Sequence, residues 1–161
     1  INMFCGSALS LKKIELNSDG KVNRPFLEIT DACKAIYKVI KNNDIYNQQI
    51  FNVGSNTDNY KIINIAKIIQ KKIPNLKIVF LKKKKKLISD DIIKNNKDKR
   101  NYKVNFDKFS KIFKFKPNYT IEKGINKLIL DLKKLKIDKK TFNSVKFYRL
   151  QYLQKNYEKL N

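Results

Sequence analysis

Apolar residues recur every three or four positions in several stretches of this chain, which is the spacing of an amphipathic helix. The clearest stretch predicts a helix over 31–40, with Thr30 or Asp31 as its N-cap. Its apolar positions are Ala32, Ala35, Ile36, Val39 and Ile40. The same spacing predicts four further helices, over 2–11, 60–72, 107–115 and 120–135. Thr120 is the predicted N-cap of the last of these, and Pro117 ends the helix before it.

Short alternating or uniformly apolar runs between these helices predict strands. Two of them, "KKIEL" and "RPFLEI", flank the turn "NSDG" and indicate either two strands or a β-ribbon. Three more runs, "QIFNVGS", "NLKIVFL" and "NYKVNF", each predict one strand. Strands that alternate with helices in this way place the chain in the α/β fold class. The segment 82–99, which contains a run of five lysines, shows the weakest pattern.

The net charge of the chain raises a question of function, namely whether the chain binds nucleic acid. Lysine and arginine together number 37 against 14 acidic residues, for a net charge of +23. Such a charge is typical of nucleic-acid-binding proteins, but only Arg24, Arg100 and Arg149 supply the guanidinium group that grips phosphates and bases best. Because the lysines are spread along the whole chain, we expect no specific nucleic-acid partner. A basic nucleic-acid-binding module is kept as the alternative.

The histidine and cysteine content and the length of the apolar runs limit the kinds of site that the chain can form. The chain has no histidine, which removes the commonest general base and the usual Ser-His and Cys-His pairs. Cys5 and Cys33 form no metal-binding motif, and both lie among apolar residues, so we expect buried thiols in a reducing compartment. No apolar run approaches the ~20 residues that cross a bilayer. These features predict a cytoplasmic protein with neither a metal site nor a membrane partner.

Five segments, in their order along the chain, point to a family. They are "NMFCGSAL", "DGKVNRPFLEITDACKAIYKVI", "IFNVGS", "YKIINIAKII" and "DKRNYKVNFDKFSKIFKFKPNYTIEKGI". This order resembles the C-terminal half of the extended short-chain dehydrogenase/reductases, the NAD-dependent epimerase/dehydratase family that acts on nucleotide sugars. The resemblance implies a small substrate-binding α/β subdomain over 1–137. That unit would include the last strand of a Rossmann sheet, near 49–54, whose N-terminal part lies upstream of Ile1. A helical tail would follow over 138–161.

The resemblance also implies a set of substrate contacts. Arg24 stands at the family position that binds the diphosphate of the nucleotide sugar, where a guanidinium gives two parallel charge-assisted hydrogen bonds. Arg100 and Asn2 would contact the same group, and Leu16 and Asn17 would lie along the base. Many family members have an aromatic residue and a glycine where this chain has Asn17 and Ser18, so the identity of the base is left open.

Cofactor and catalytic residues would lie mainly outside this chain. The family binds NAD or NADP at a glycine-rich turn, and the four glycines here are too far apart to form one. The spacing Tyr-x-x-x-Lys occurs at Tyr37/Lys41 and Tyr119/Lys123, but both pairs lie downstream of the family's catalytic pair, so no catalytic residue is assigned. The expected partner is a nucleotide-diphosphate sugar, and a homodimer is left open. A non-catalytic paralogue that acts as a scaffold is a further alternative.

Overall fold

The computed structural model describes residues 1–42, 48–81 and 100–157 of the chain. Seven α-helices are present in these ranges: α1 Asn2–Leu11, α2 Ile29–Ile40, α3 Ile62–Gln70, α4 Asp107–Phe113, α5 Ile121–Lys134, α6 Lys139–Phe142 and α7 Arg149–Tyr157. Four strands accompany them: β1 Lys13–Leu16, β2 Asn23–Pro25, β3 Asn59–Lys61 and β4 Lys77–Phe80. This mixed α/β content confirms the predicted fold class. The lysine run 82–86 lies outside the described residues.

The four strands form two small two-stranded sheets. β1 pairs in parallel with β4, with Leu16 opposite Phe80, and β2 pairs antiparallel with β3, with Arg24 opposite Tyr60. The predicted strands at "KKIEL" and "NLKIVFL" are therefore confirmed, whereas the β-ribbon is wrong because β1 and β2 do not pair with each other. Each strand instead finds its partner on a later segment, which no local pattern reveals.

The main core lies between β1 and the helices α1, α3 and α5. Its buried residues include Cys5, Ala8, Ile14, Ile65, Ile69 and Ile125. They occupy the apolar stripes that predicted these helices, and Thr120 caps α5 as expected by accepting a hydrogen bond from the backbone amide of Lys123 at 3.4 Å. Leu135, predicted on the core face of α5, lies just beyond the helix and is exposed.

A second, aromatic cluster explains why the predicted strand at 49–54 is absent. No strand neighbours these residues within the described part of the chain, and a strand requires a hydrogen-bonded partner. Phe51 packs edge-on against Phe109 and Phe113 instead, with ring centroids 5.7 and 5.3 Å apart. Side-chain packing, rather than a sheet, therefore holds this segment against α4 and α2.

The run "NYKVNF" over 101–106 is the second segment where a predicted strand is absent. Asparagine side chains bond its backbone in place of a partner strand. The Asn59 amide donates to the Val104 carbonyl at 3.0 Å and accepts from the Val104 amide at 2.9 Å, which copies the pairing of a strand. Asn56 accepts from the Phe106 amide at 2.9 Å in the same way. Side chains thus bond the amide and carbonyl of Val104 and the amide of Phe106, and no ladder forms.

Two local predictions around α2 are also corrected. The helix begins at Ile29 and its N-cap is Glu28, whose carboxylate accepts from the amides of Thr30 and Asp31 at 2.6 and 3.3 Å. Neither Thr30 nor Asp31 is the cap. Cys5 is buried as predicted, but Cys33 is exposed because it lies on the outer face of α2. None of the helices in the described ranges is long and apolar enough to cross a membrane.

Candidate functional site

Two of the three arginines meet at one corner of the molecule, although 76 residues separate them. Arg24 lies in β2. Its Nη1 donates one hydrogen bond to the backbone carbonyl of Asn23, at 2.7 Å, and a second to the backbone carbonyl of Arg100. Arg100 itself is exposed. The structure thus brings together two of the three residues that the resemblance assigned to the diphosphate, and we name this pair with its surroundings the arginine corner.

Neighbouring side chains fix the geometry of this corner. The Arg24 guanidinium lies over the ring of Tyr102, with its carbon 4.8 Å from the ring centroid. Asn23 and Asn101 hold β2 and the segment after Arg100 together. The side-chain Oδ1 of Asn101 accepts hydrogen bonds from both the backbone and the side-chain amide of Asn23, each at 2.9 Å. A guanidinium stacked on an aromatic ring is pre-organised, which lowers the entropy lost when it forms hydrogen bonds to an anion.

The other predicted contacts lie in different places. Asn17 is exposed at the end of β1, where a base could reach it. Leu16 is only 3% exposed and belongs to the main core, so its side chain cannot lie along a base without opening that core. Asn2 opens α1 and lines a separate cleft that none of the arginine-corner residues lines.

This cleft has a volume of about 610 Å³ and lies between the start of α1, the loop after β2, and α5. Most of its wall is apolar, with Phe26, Ile121 and Leu128 among the lining residues. Its charged lining residues are Glu28, Asp58, Lys127 and Asp131. In a chain with a net charge of +23, a cleft with more acidic than basic side chains is unsuited to a diphosphate.

An ion pair that the sequence did not predict spans the cleft wall. Lys127 on α5 donates to Glu28 at 2.8 Å and to the hydroxyl of Thr30 at 3.2 Å, and its ammonium lies 5.1 Å from the centre of the Tyr119 ring. Burial alone would raise the pKa of Glu28, but the hydrogen bonds from Lys127 and Thr30 outweigh it and lower this pKa below its ordinary value. The bond to Glu28 likewise raises the pKa of Lys127. The pair ties the N-cap of α2 to α5.

This pair predicts a specific dependence of stability on pH. Because the folded-state pKa of Glu28 is depressed, its contribution is present above the unfolded value of about 4.3 and is lost as pH falls through the folded value. We expect wild type to lose more stability than Glu28→Gln between pH about 6 and about 3 in urea denaturation. Lys127→Met should flatten the same profile, since it removes the partner. Parallel profiles for all three chains would contradict this role of Glu28.

Asp31 has a different role from the predicted cap. It is fully buried in the first turn of α2, and its Oδ2 accepts hydrogen bonds from the backbone amides of Asn118 and Tyr119 at 2.8 and 2.9 Å. Lys34 lies 3.6 Å from the other oxygen. Asp31 therefore fastens the segment before α5 to α2 and shapes the edge of the cleft at Tyr119.

Comparison with known proteins places the fold but assigns no family. The sequence matches no protein-family model and no curated protein sequence. Among solved structures, the chain is similar to dTDP-glucose 4,6-dehydratase from Bacillus anthracis, determined in complex with NAD, with a TM-score of 0.56 and 22% sequence identity. The match covers 82% of this chain and 38% of the dehydratase. The chain is therefore similar in fold to part of this dehydratase.

Proposed function

We propose that this chain is the nucleotide-sugar-binding part of an NAD(P)-dependent nucleotide-sugar epimerase or dehydratase. The observation that carries the proposal is the arginine corner. Arginine, the residue that binds a diphosphate best, is scarce in this chain. Even so, the side chain of Arg24 in β2 contacts the backbone of Arg100. The similarity to the dTDP-glucose dehydratase supports the same reading, because it concerns a protein that acts on a nucleotide sugar.

The chemistry of the ligand explains why lysine would not serve at position 24. A diphosphate offers pairs of oxygens at the spacing of the guanidinium fork, and two parallel charge-assisted hydrogen bonds result. An ammonium carries the same charge but has no such fork. Two of the five N–H groups of Arg24 would donate hydrogen bonds to the diphosphate in the bound state.

The outer face of α2 supports the proposal that a larger enzyme contains this chain. Its apolar residues Ile29, Ile36, Tyr37 and Ile40 are 57–70% exposed and follow the helical repeat. Ile50, in the segment predicted to join a Rossmann sheet, is exposed as well. Exposed apolar residues along one helix face are typical of a surface that another part of the protein covers. In the proposed enzyme the Rossmann part would cover it.

The residues present do not fit a pyridine nucleotide by themselves. The phosphates of the cofactor need a glycine-rich turn at the start of a helix. Here Gly6 lies inside α1 and packs against Phe142, Gly54 packs against Phe106, and Gly124 lies inside α5. Gly20 is the turn glycine between β1 and β2, with a positive φ of 69°. In the proposed enzyme, NAD or NADP would therefore be bound by residues outside this chain.

The test is titration of a nucleoside diphosphate into the chain and its Arg24 variants. One charge-assisted hydrogen bond contributes ~1.5–3 kcal/mol, so Arg24→Lys should weaken binding roughly ten-fold at ~1.4 kcal/mol per decade. Arg24→Ala should weaken it more, because the charge is lost as well. Isothermal titration calorimetry on the full chain measures each affinity.

A matched control separates the fork from the general positive charge. Lys103→Ala removes one exposed cation from the same segment as Arg100, and we expect it to leave the affinity within about two-fold of wild type. Equal affinities for wild type and Arg24→Ala would refute the proposed site. A loss of equal size for Lys103→Ala and Arg24→Ala would show that only bulk charge attracts the nucleotide, which would favour the polyanion-binding alternative.

A further inference from the structure

The cleft at the start of α1 has an unusual charge for this chain. Of its four charged lining side chains, three are acidic, and its single basic side chain is already engaged. Lys127 donates to both Glu28 and Thr30 and lies over the ring of Tyr119. Asp131 has only a distant contact, at 4.0 Å from the ammonium of Lys134, so two carboxylates of the cleft lack a close basic partner among the described residues.

Asp58 is the more telling of these two carboxylates. It lines the cleft but is only 6% exposed, and within the described ranges no hydrogen bond or ion pair reaches its side chain. Its position is fixed, because its backbone carbonyl accepts from the Phe26 amide at 3.1 Å and Ser55 caps the short 3₁₀ turn that ends at Asp58. A mostly buried carboxylate with no partner is less favourable than a paired one. A ligand that supplied the missing partner would remove this disadvantage.

We propose that this cleft binds a small organic cation, a primary amine on an apolar or aromatic body, with its ammonium group against Asp58. The ammonium offers three hydrogen-bond donors and the opposite charge. The body would lie on the apolar wall formed by residues such as Phe26, Ile121 and Leu128. The volume of about 610 Å³ falls in the range of small-molecule sites.

The positive charge of the whole chain does not oppose this inference. Charges on exposed lysines are screened over about 8 Å at physiological ionic strength. Inside the cleft, the nearby carboxylates therefore determine the local potential, since partly buried charges are screened less. Burial, and then the charge of Glu122, raise the pKa of Asp58 above its ordinary value, and an ammonium ligand would act in the opposite direction by stabilising the charged carboxylate. The inference rests on the residues that line the cleft.

Three probes of one shape test the inference on the full chain: benzylamine, benzyl alcohol and benzoate. We expect benzylamine to bind at least about ten-fold more tightly than the neutral alcohol, which corresponds to ~1.4 kcal/mol. Benzoate should bind more weakly than either. In Asp58→Asn the preference for the amine should disappear, while the affinity for benzyl alcohol stays at the wild-type value. NMR titration measures these affinities and locates the shifted amide signals.

The matched control is Asp19→Asn, which removes a carboxylate from the exposed turn between β1 and β2 and should keep the amine preference. Equal binding of amine and alcohol to wild type would overturn the inference, and so would tighter binding of benzoate. An amine preference that persists in Asp58→Asn would place the cation elsewhere and would also overturn it. If Asp58→Asn does not fold, the wild-type titration still decides, because benzylamine must shift the amide signals of Asp58 and its cleft neighbours.

Discussion

Replacing Asp31 by alanine should lower the free energy of unfolding by about 3–5 kcal/mol. The fully buried carboxylate accepts two backbone hydrogen bonds, from Asn118 and Tyr119, and each such bond to a charged oxygen contributes ~1.5–3 kcal/mol. Both amides would lose this acceptor in the variant, and part of the space would stay empty. Asp31→Asn keeps one carbonyl oxygen in place, so it should cost only about 1–2 kcal/mol.

Urea denaturation with a constant m value measures these differences. Asp131→Ala is the control, because it removes an exposed carboxylate from the last turn of α5 and should change stability by less than about 0.5 kcal/mol. If Asp31→Ala lost no more than Asp131→Ala, the segment before α5 would be held by something other than Asp31. The proposed reason for the burial of this side chain would then be wrong.

Replacing Phe109 by alanine should cost a similar amount, about 3–5 kcal/mol. Phe109 is fully buried and contacts three other aromatic rings, with centroids 4.6 Å away at Phe113, 5.2 Å at Phe115 and 5.7 Å at Phe51. Its loss would leave a cavity and remove the packing that fixes Phe51. Because no sheet holds the segment 49–54 within the described residues, we expect its amides to exchange faster with solvent as well.

The control for this variant lies on the same helix. Ile112→Ala truncates an α4 side chain that is 37% exposed, and it should cost less than half as much as Phe109→Ala. Hydrogen exchange should speed up in 49–54 for Phe109→Ala and not for Ile112→Ala. Unchanged exchange in both variants would mean that the backbone of this segment is held by pairing rather than by the aromatic cluster.

Local patterns predicted the helices correctly because an amphipathic helix is encoded by residues within one or two turns of each other. The stripes that predicted α1, α2, α3 and α5 contribute residues to the buried cores. The Thr120 cap followed from the same short-range logic, since its partner is only three residues away. The strands β1 and β4 were predicted from their apolar runs, although their pairing was not.

Errors arose where a distant side chain competes with the local pattern. An alternating run such as "NYKVNF" becomes a strand only if another strand pairs with it, and here the Asn56 and Asn59 amides take that place. Asp31 has the sequence position of a cap, yet Glu28 takes that role because Lys127 and Thr30 hold its carboxylate at the helix start. Such long-range contacts have no periodic signature in the sequence.

The candidate sites divide in the same way. The sequence by itself determined the helices and the α/β class, because each depends on near-neighbour spacing, and the resemblance to a family singled out Arg24 and Arg100. Only the tertiary structure decided that these two residues share a corner, that Leu16 is buried in the core, and that Asp58 lines an acidic cleft. These facts depend on which distant segments pack together, and packing is set by the whole chain rather than by any one stretch of it.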